Sequence, residues 1–594
     1  KMTAYRGDIV DREGARLAVS VPAVSLYAHP DRLDAQVRRR VCAALQKIAQ
    51  ADKCAALERD QRFVWLGRRL RRERAAPALE TFRDVRFAGW MDTYVRMYPK
   101  GDMAGHTLGF VGIDGNGLEG VERALEDVLV AEVKPLEVLA DGRRNLLPLP
   151  EQAWSLTPRA ANAQLTLDLG LQALVEDALM RGIEKAGGRV GVALLAEVRT
   201  GALRAAAVMP SFAPQAYRKT SPDQRRLRYL TDTFEPGSTI KPLVLALALE
   251  SGRSLHEIVY AENGRFRVDD HDIRDDDHAQ HGWLSLRNVV VKSSNIGAAK
   301  IGMDLGREAL YEGLAAFGFG RRIGLRLPGE ARGILRPAER WSRLDWATIS
   351  FGQGLSATPL QLLQAYLALA NDGQRIEPYL VARIFETPGG QTKWRYSPAP
   401  SQTVVSEDVA RKVRLVLQDV VDQGTGVRAQ VDGLAVGGKT GTSQKPDLEK
   451  GGYRAGAYVA WFAGLFPVEK PRWVAVVMVD EPTESIYGGQ VAAPIFQKIA
   501  RGVGIREGLL QHSRQAVAAL PQPASNHPVQ LGAGLVPDLR GLSLREAGRA
   551  ARQLGAGVQF AGRGVVVAQD PPPGAALPVE EAIKLTLAPQ GEAS

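Results

Sequence analysis

Two distant stretches of the chain carry the same hydrophobic pattern. GVALLAEVRTGALRAAAVMP, residues 191–210, places apolar runs on both sides of Arg199-Thr200-Gly201, which predicts a β-hairpin. AYVAWFAGLFP and RWVAVVMVDEP, within 457–482, supply two more runs of the same kind. Apolar residues at successive positions suit strands covered on both faces. Between the two sets the pattern is mainly helical, and LTLDLGLQALVEDAL, Leu165 to Leu179, reads as a short strand followed by an amphipathic helix. One sheet built from both ends of this region, with a helical insert, is an α+β arrangement.

The flanks read differently. Residues 1 to about 150 mix strand-like runs (VSLYAHP, YVRMYP) with charged helices such as Asp31 to Gln50, and GFVGIDGNGLEG punctuates 109–120. An elongated α+β module fits this better than one compact core. Around 505–534 the composition turns to Ala, Gln, Pro and Ser, which is linker composition. A turn, a helix with one apolar face (VPDLRGLSLREAGRAARQLG) and three short strands follow. The expected organisation is multidomain α+β: an N-terminal module over 1–155, a larger domain over 156–505, a linker over 506–534 and a small unit over 535–588.

Composition narrows the function classes. With 594 residues, 45% hydrophobic and 24% charged, the chain is globular and too long for one core. A net charge of +10 is a mild basic bias over this length. It favours acidic surfaces such as lipid headgroups or anionic wall polymers. No dense Lys/Arg stripe interleaved with aromatics points to nucleic acid, and RRLRRER at 68–74 reads as a solvated helix face. Two cysteines, Cys42 and Cys54, exclude a disulfide framework and a Cys-based zinc module. Buried thiols are the plain expectation for them, with one disulfide left open. No apolar run reaches the ~18 residues of a membrane span. Because Lys1 opens directly into a folded-looking segment, a membrane anchor is expected upstream.

Three short motifs carry chemistry. FEPGSTIKPL, Phe234 to Leu243, sets Lys241 three residues after Ser238, on one face of a helix. Pro236 and Gly237 suit the helix entry, and Pro242 is tolerated only in its first turn. A helix N-terminus disfavours a cation, and the apolar LVLALALE that follows adds desolvation. A neutral Lys241 is then able to take the Ser238 proton and make a nucleophile. Alone, a Ser-x-x-Lys match arises by chance about once in a chain this long. KSSNIGAAKIG, Lys292 to Gly302, offers Ser293 and Asn295 to the same cleft, although serine and asparagine before a helix also serve as ordinary N-caps. VGGKTGTSQ, Val436 to Gln444, places Lys439 on an extended edge strand, where its charge lowers the pKa of Lys241. Gly441 would let a substrate backbone approach, and Thr440 and Thr442 would hold a carboxylate. The plain alternative is a glycine-rich loop, but its spacing is not that of a phosphate loop.

Ser-x-x-Lys, Ser-x-Asn and Lys-Thr-Gly in this order form the set of the penicillin-binding proteins and serine β-lactamases. The chain resembles the class B penicillin-binding proteins, specifically the cell-division (FtsI-type) transpeptidases. RGDIVDREGARLAVS (Arg6 to Ser20), HTLGFVGIDGNGLEGVE (His106 to Glu122), FGQGLSATPLQL (Phe351 to Leu362) and YGGQVAAPIF (Tyr487 to Phe496) carry the resemblance, and the tail unit resembles a PASTA domain.

The resemblance implies a β-lactamase-like transpeptidase domain on a dimerisation-like pedestal, with no cofactor. Ser238 would attack the D-Ala-D-Ala carbonyl of a peptidoglycan stem peptide with Lys241 as base. Ser293 would relay a proton and Asn295 would hold the substrate amide. Thr440, Gly441 and Thr442 would line the carboxylate site beside Lys439, and the Ser238 and Thr442 amides would form the oxyanion hole. β-Lactam antibiotics would trap Ser238. With no glycosyltransferase module upstream, a membrane glycan polymerase and other divisome proteins are the implied partners, and a single-pass membrane protein with its catalytic part outside the membrane is the implied location.

DDHDIRDDDHAQH, Asp269 to His281, is the most metal-like cluster, with six aspartates and three histidines. Its ligand spacing is undefined, so it reads as a solvated acidic loop, with no metal site and no catalytic aspartate. The tail unit reads equally as a spacer or as a muropeptide- or partner-binding domain. Competing functions are an elongation-type transpeptidase, a D,D-carboxypeptidase or β-lactamase, and a non-catalytic penicillin-binding scaffold. Deacylation speed and the effect of Ser238→Ala on division separate them.

Overall fold

A computed structural model describes residues 5–130, 160–275, 280–386, 390–447, 450–510 and, within 535–588, all but 541, 543, 554 and 577–581. Most of the expected linker, 511–534, lies outside the described residues. The chain forms two compact units, Lys1–Leu510 and Gln511–Ser594.

The elements that position the site are helices α1 (Leu169–Ala186), α2 (Lys241–Glu250), α3 (Asn295–Leu305), α4 (Pro359–Ala370) and α5 (Gly488–Arg506), and strands β1 (Val190–Glu197), β2 (Leu203–Met209), β3 (Gly437–Pro446), β4 (Tyr453–Phe466) and β5 (Trp473–Asp480). The two distant apolar sets do form one sheet. Its order is β3-β4-β5-β1-β2, antiparallel throughout. Strand alternation divides each apolar run between two cores. Ala193, Leu195, Ala460, Phe462, Ala475 and Val477 face one core with Leu171, Val175 and Leu179 of α1 and Ile495, Phe496 and Ile499 of α5. Val192, Leu194, Trp461, Ala463, Val476 and Met478 face the other, which contains α4. Two covered faces explain why these strands lack polar alternation.

Local signals set the helix ends. Asp168 caps α1 by accepting from the Gly170 and Leu171 amides, and the helix stops at Gly187, which is left-handed with φ 60°. α4 starts with a capping box between Thr358 and Gln361 and has Pro359 at its first position. Every residue of α4 is buried. Its polar groups are satisfied internally. Gln361 Nε2 donates to the Arg321 and Arg332 carbonyls at 2.8 Å each, and Tyr366 Oη donates to the Thr239 carbonyl at 3.0 Å.

The N-terminal segment does not build its sheet alone. Ile9–Val10, Arg16–Ala28, Val64–Arg71 and Ala88–Met97 join Ala161–Leu165, Val381–Glu386 and Thr392–Arg395 in one seven-stranded sheet. The region between the two apolar sets is therefore less uniformly helical than its pattern predicts. Beneath this sheet, Glu122 is fully buried and receives Arg6 Nε at 2.5 Å and Arg96 Nε at 2.7 Å, while Arg6 also pairs with Glu126 at 2.6 Å. This network ties the RGDIV start to the GLEGVE segment.

Two expectations for this region are corrected. The basic run 68–74 is not one helix face: it spans the end of strand Val64–Arg71 and the start of helix Arg72–Arg83, with Arg68 paired to Asp114 and Arg72 to Asp92. Cys42 and Cys54 are not buried thiols but a disulfide, because helix Ala35–Lys47 and the turn of helix Cys54–Leu57 bring their Cα atoms to 5.2 Å. Among the described residues no helix is long and apolar enough to cross a membrane.

The second unit packs helix Leu544–Gln553 on three strands, Val558–Gly562, Val565–Asp570 and Ile583–Ala588. The last strand lies between the other two, parallel to the first and antiparallel to the second. Val536, Leu539, Ala547, Ala551, Ile583 and Leu585 form its core.

Candidate active site

A cleft of about 720 Å³ gathers all three sequence motifs. Ser238, Ser293, Asn295, Thr440, Gly441 and Thr442 line it. Ser238 sits in a 3-10 turn, Gly237–Ile240, that runs directly into α2. Gly237 has φ 55°, and a Cβ there would lie 2.9 Å from the Thr442 carbonyl oxygen, so only glycine permits this approach of the turn to β3. The Gly237 amide donates to the Gly352 carbonyl at 3.1 Å, which seats the Phe351–Gly354 loop against the turn. Glu235, raised by burial, accepts from the Gly354 amide at 2.8 Å and from the Tyr453 hydroxyl.

Lys241 is 1% exposed. Its Nζ donates to the Ser293 carbonyl at 2.5 Å and to Asn295 Oδ1 at 2.8 Å, and lies 3.3 Å from Ser293 Oγ. Burial lowers its pKa well below the usual lysine value; the charge of Lys439 lowers it further, and Asp275 opposes both. A neutral amine has two N–H bonds and one lone pair. Two carbonyl-type acceptors consume the N–H bonds, which leaves the lone pair for a hydroxyl. An amine in this state is able to accept a proton from serine.

The turn before α3 separates the two meanings of its sequence. Ser294, not Ser293, is the N-cap, accepting from the Gly297 amide at 2.9 Å. Ser293 is left-handed at φ 62° and Asn295 opens the helix, so both reach the cleft. Asn295 is already engaged: its Oδ1 holds Lys241 and its Nδ2 donates to the Arg274 carbonyl at 2.9 Å.

β3 is the edge strand, as its sequence implied. Lys439 is fully buried, and its Nζ reaches Thr425 Oγ1 and Thr440 Oγ1 at 3.2 Å each. Burial lowers it to about 7. Thr425 and Thr440 share a hydrogen bond of 2.7 Å. Thr442 Oγ1 accepts from the Gly488 amide at 3.1 Å, so the first turn of α5 closes one wall. The missing side chain of Gly441 faces the Gly237–Ile240 turn: a Cβ would meet the Pro236 carbonyl oxygen at 2.8 Å and Thr239 Cγ2 at 2.9 Å.

Sequence reasoning missed Thr425 and Asp275. Thr425 lies in a short DQGTG turn with no distinguishing spacing. Asp275 was read as part of a solvated loop, but it is 6% exposed and its carboxylate accepts from Ser294 Oγ at 2.8 Å and from the Asn295 and Ile296 amides at 2.6 and 3.0 Å. Of its neighbours, Asp272 pairs with Arg265 at 2.6 Å, and Asp276, Asp277 and His278 lie outside the described residues. Among the described residues no group of three His, Cys, Asp or Glu side chains is arranged to hold a metal.

The chain is similar to known proteins over most of its length. Residues 191–501 match the penicillin binding protein transpeptidase domain, 1–145 the penicillin-binding protein dimerisation domain and 534–589 the PASTA domain. The chain is 34% identical over 522 residues to the probable peptidoglycan D,D-transpeptidase PenA of Neisseria gonorrhoeae, covering 84% of each chain. It is 32% identical over 518 residues to the peptidoglycan D,D-transpeptidase FtsI of Escherichia coli, covering 85% of this chain and 84% of the relative. Penicillin binding protein 3 of Mycobacterium tuberculosis, solved with aztreonam, superposes with TM-score 0.66 at 27% identity, over 86% of this chain and 97% of that one. From its matched domains and its relatives, the chain belongs to the class B penicillin-binding proteins and carries a C-terminal PASTA domain.

Proposed function

We propose that this chain is a division-type peptidoglycan D,D-transpeptidase that works through a serine acyl-enzyme. Lys241 Nζ takes the Ser238 proton, directly or through Ser293, and Ser238 Oγ attacks the carbonyl of the D-Ala-D-Ala bond of a stem peptide. The Ser238 and Thr442 amides stabilise the oxyanion. The C–N bond breaks and D-alanine leaves with the returned proton; an amine of a neighbouring stem then attacks the ester, the C–O bond to Ser238 breaks, and the amine's proton passes through Lys241 to Ser238 Oγ as the cross-link forms. Thr440 and Thr442 bind the terminal carboxylate beside Lys439, whose lowered pKa then rises as the carboxylate pairs with it. Asn295 holds the Lys241 amine as its first task.

The observation that carries this reading is the engagement of the Lys241 amine by Ser293 and Asn295, one helical turn from Ser238. The division role rests on the RGDIVDREG start and the PASTA tail, which resemble the division-type transpeptidases. The same reading places the catalytic part outside the cytoplasmic membrane, in keeping with the Cys42–Cys54 disulfide, working with a membrane glycan polymerase and other divisome proteins. The four-part organisation, with a pedestal to about 155 and a linker at 506–534, belongs to this proposal.

Penicillin treatment of the full chain followed by intact-mass measurement and peptide mapping tests it. One adduct on Ser238, persisting for hours and lost in Ser238→Ala, is the expected result. An adduct elsewhere, or none, overturns the assignment, and release within seconds makes the protein a hydrolase. Filamentation of cells carrying only Ser238→Ala is the expected division phenotype; rounding would indicate an elongation role.

A further inference from the structure

We infer that Asp275 is a positioning residue for acylation, whose carboxylate clamps the Ser293–Asn295 turn and so fixes where the Lys241 amine sits. The inference rests on Lys241 being the base. Three donors converge on this one buried carboxylate: Ser294 Oγ and the Asn295 and Ile296 amides. A carboxylate at the start of α3 is favoured by the helix dipole. The adjacent carbonyl, that of Arg274, accepts from Asn295 Nδ2. The Arg274-Asp275 pair therefore grips Asn295 at both its backbone and its side chain, and Asn295 Oδ1 in turn grips Lys241. Ser293 needs such restraint, because a non-glycine residue at φ 62° is held there only by its surroundings. The second acceptor for Lys241, the Ser293 carbonyl, belongs to that residue.

The carboxylate also acts on the amine through space. The groups that contact Lys241 or act on its charge are Ser293 and Asn295 from the α3 turn, Lys439 from β3 and Asp275 from its own loop, and Ser238 lines the same cleft. Among the described residues Asp275 is the one acid acting on the amine, and it raises the pKa that burial and Lys439 lower. Removing its charge favours the uncharged amine. The acid limb of acylation then moves to lower pH while the maximal rate falls, because the clamp is weakened. A merely structural role would lower the rate and leave the limb in place.

The test uses the full chain, with the rate of fluorescent-penicillin acylation measured across pH, and the Lys241 Cε titration followed by NMR. For Asp275→Asn the expected result is a plateau lower by about 10²-fold, with the acid limb and the Lys241 midpoint lowered by about 1 unit. A wild-type plateau, or a reduced plateau with an unmoved midpoint, overturns the inference. Should Asp275→Asn not fold, Ser294→Ala decides. It removes one donor and keeps the charge, so a plateau reduced without loss of thermal stability is expected; an undiminished plateau, or one that falls only together with stability, overturns the clamp. If the wild-type chain is not acylated, the proposed function fails. The Lys241 midpoint still decides the role of Asp275, since its shift requires no reaction.

Discussion

The molecule buries charge in two places and treats it in opposite ways. In the N-terminal region Arg6 and Arg96 converge on Glu122, with Glu126 and the Tyr98 hydroxyl completing the network. In the cleft, Lys241 and Lys439 are buried as deeply, but their hydrogen bonds go to carbonyl, amide and hydroxyl oxygens. Desolvation is costly in both settings. Pairing with carboxylates offsets the burial of guanidinium charges, which do not titrate in proteins, and makes them a structural joint. Withholding a direct carboxylate partner lowers the pKa of both amines instead and leaves Lys241 able to accept a proton. Burial alone does not separate scaffold from chemistry; the choice of hydrogen-bond partner does.

Breaking each side of this contrast should give different losses. Lys241→Met fills the same space without a buried amine, so penicillin acylation should fall by about 10²–10⁴-fold with thermal stability unchanged or raised. A stability loss as large as the activity loss would mean the lysine is structural. Glu122→Gln should do the reverse. It leaves two buried guanidinium groups short of a partner and should cost about 3–5 kcal/mol in denaturant unfolding, with the acylation rate of the remaining folded protein preserved.

The smallest effect sharpens the comparison through pH. Lys439 falls to about 7 in the folded chain and returns to the ordinary lysine value on unfolding. Between those values the unfolded state binds the extra proton, so stability rises with pH, by about 1.4 kcal/mol per unit for this one group. Below about pH 7 both states are protonated and the slope vanishes. Thermal melts from neutral to pH 9 should show the rise, and Lys439→Met should reduce it by this one group's share, leaving the part that Lys241 contributes. A wild-type slope retained in that variant would show that the buried amine stays charged.

Much of the site was legible because its signals are local. Ser238 and Lys241 share one helical turn, Ser293 and Asn295 flank one cap, and Lys439 to Thr442 occupy one strand, so the spacing itself encodes the geometry. Four strands of the central sheet were legible because strands covered on both faces stay apolar through runs such as VALLA and WVAVVMV, while β3 was marked by its Lys-Thr-Gly motif instead. What escaped depends on contacts between distant segments. Asp275 lies in an acidic run whose other members are exposed, as Asp269 and Asp270 are, paired with arginine, as Asp272 is, or outside the described residues, and nothing in its spacing marks it as the partner of Ser294. Gly441 carries the same one-letter signal whether its bare face meets substrate or the Pro236 carbonyl. The pairing of Ala161–Leu165 with both Ile9–Val10 and Val381–Glu386 joins three remote segments, which no periodicity reports. Cys42 and Cys54 were too few to declare a bond from sequence.

The hydrogen bond from Tyr366 to the Thr239 carbonyl gives the serine a foundation in the interior of the protein. The turn is moored to a helix with no solvent-facing residue, while much of the entrance is built from outer loops. Under the proposed acyl-enzyme reading, substitutions around that entrance recontour what gains entry without shifting the serine oxygen, whereas substitutions at the interior mooring displace it.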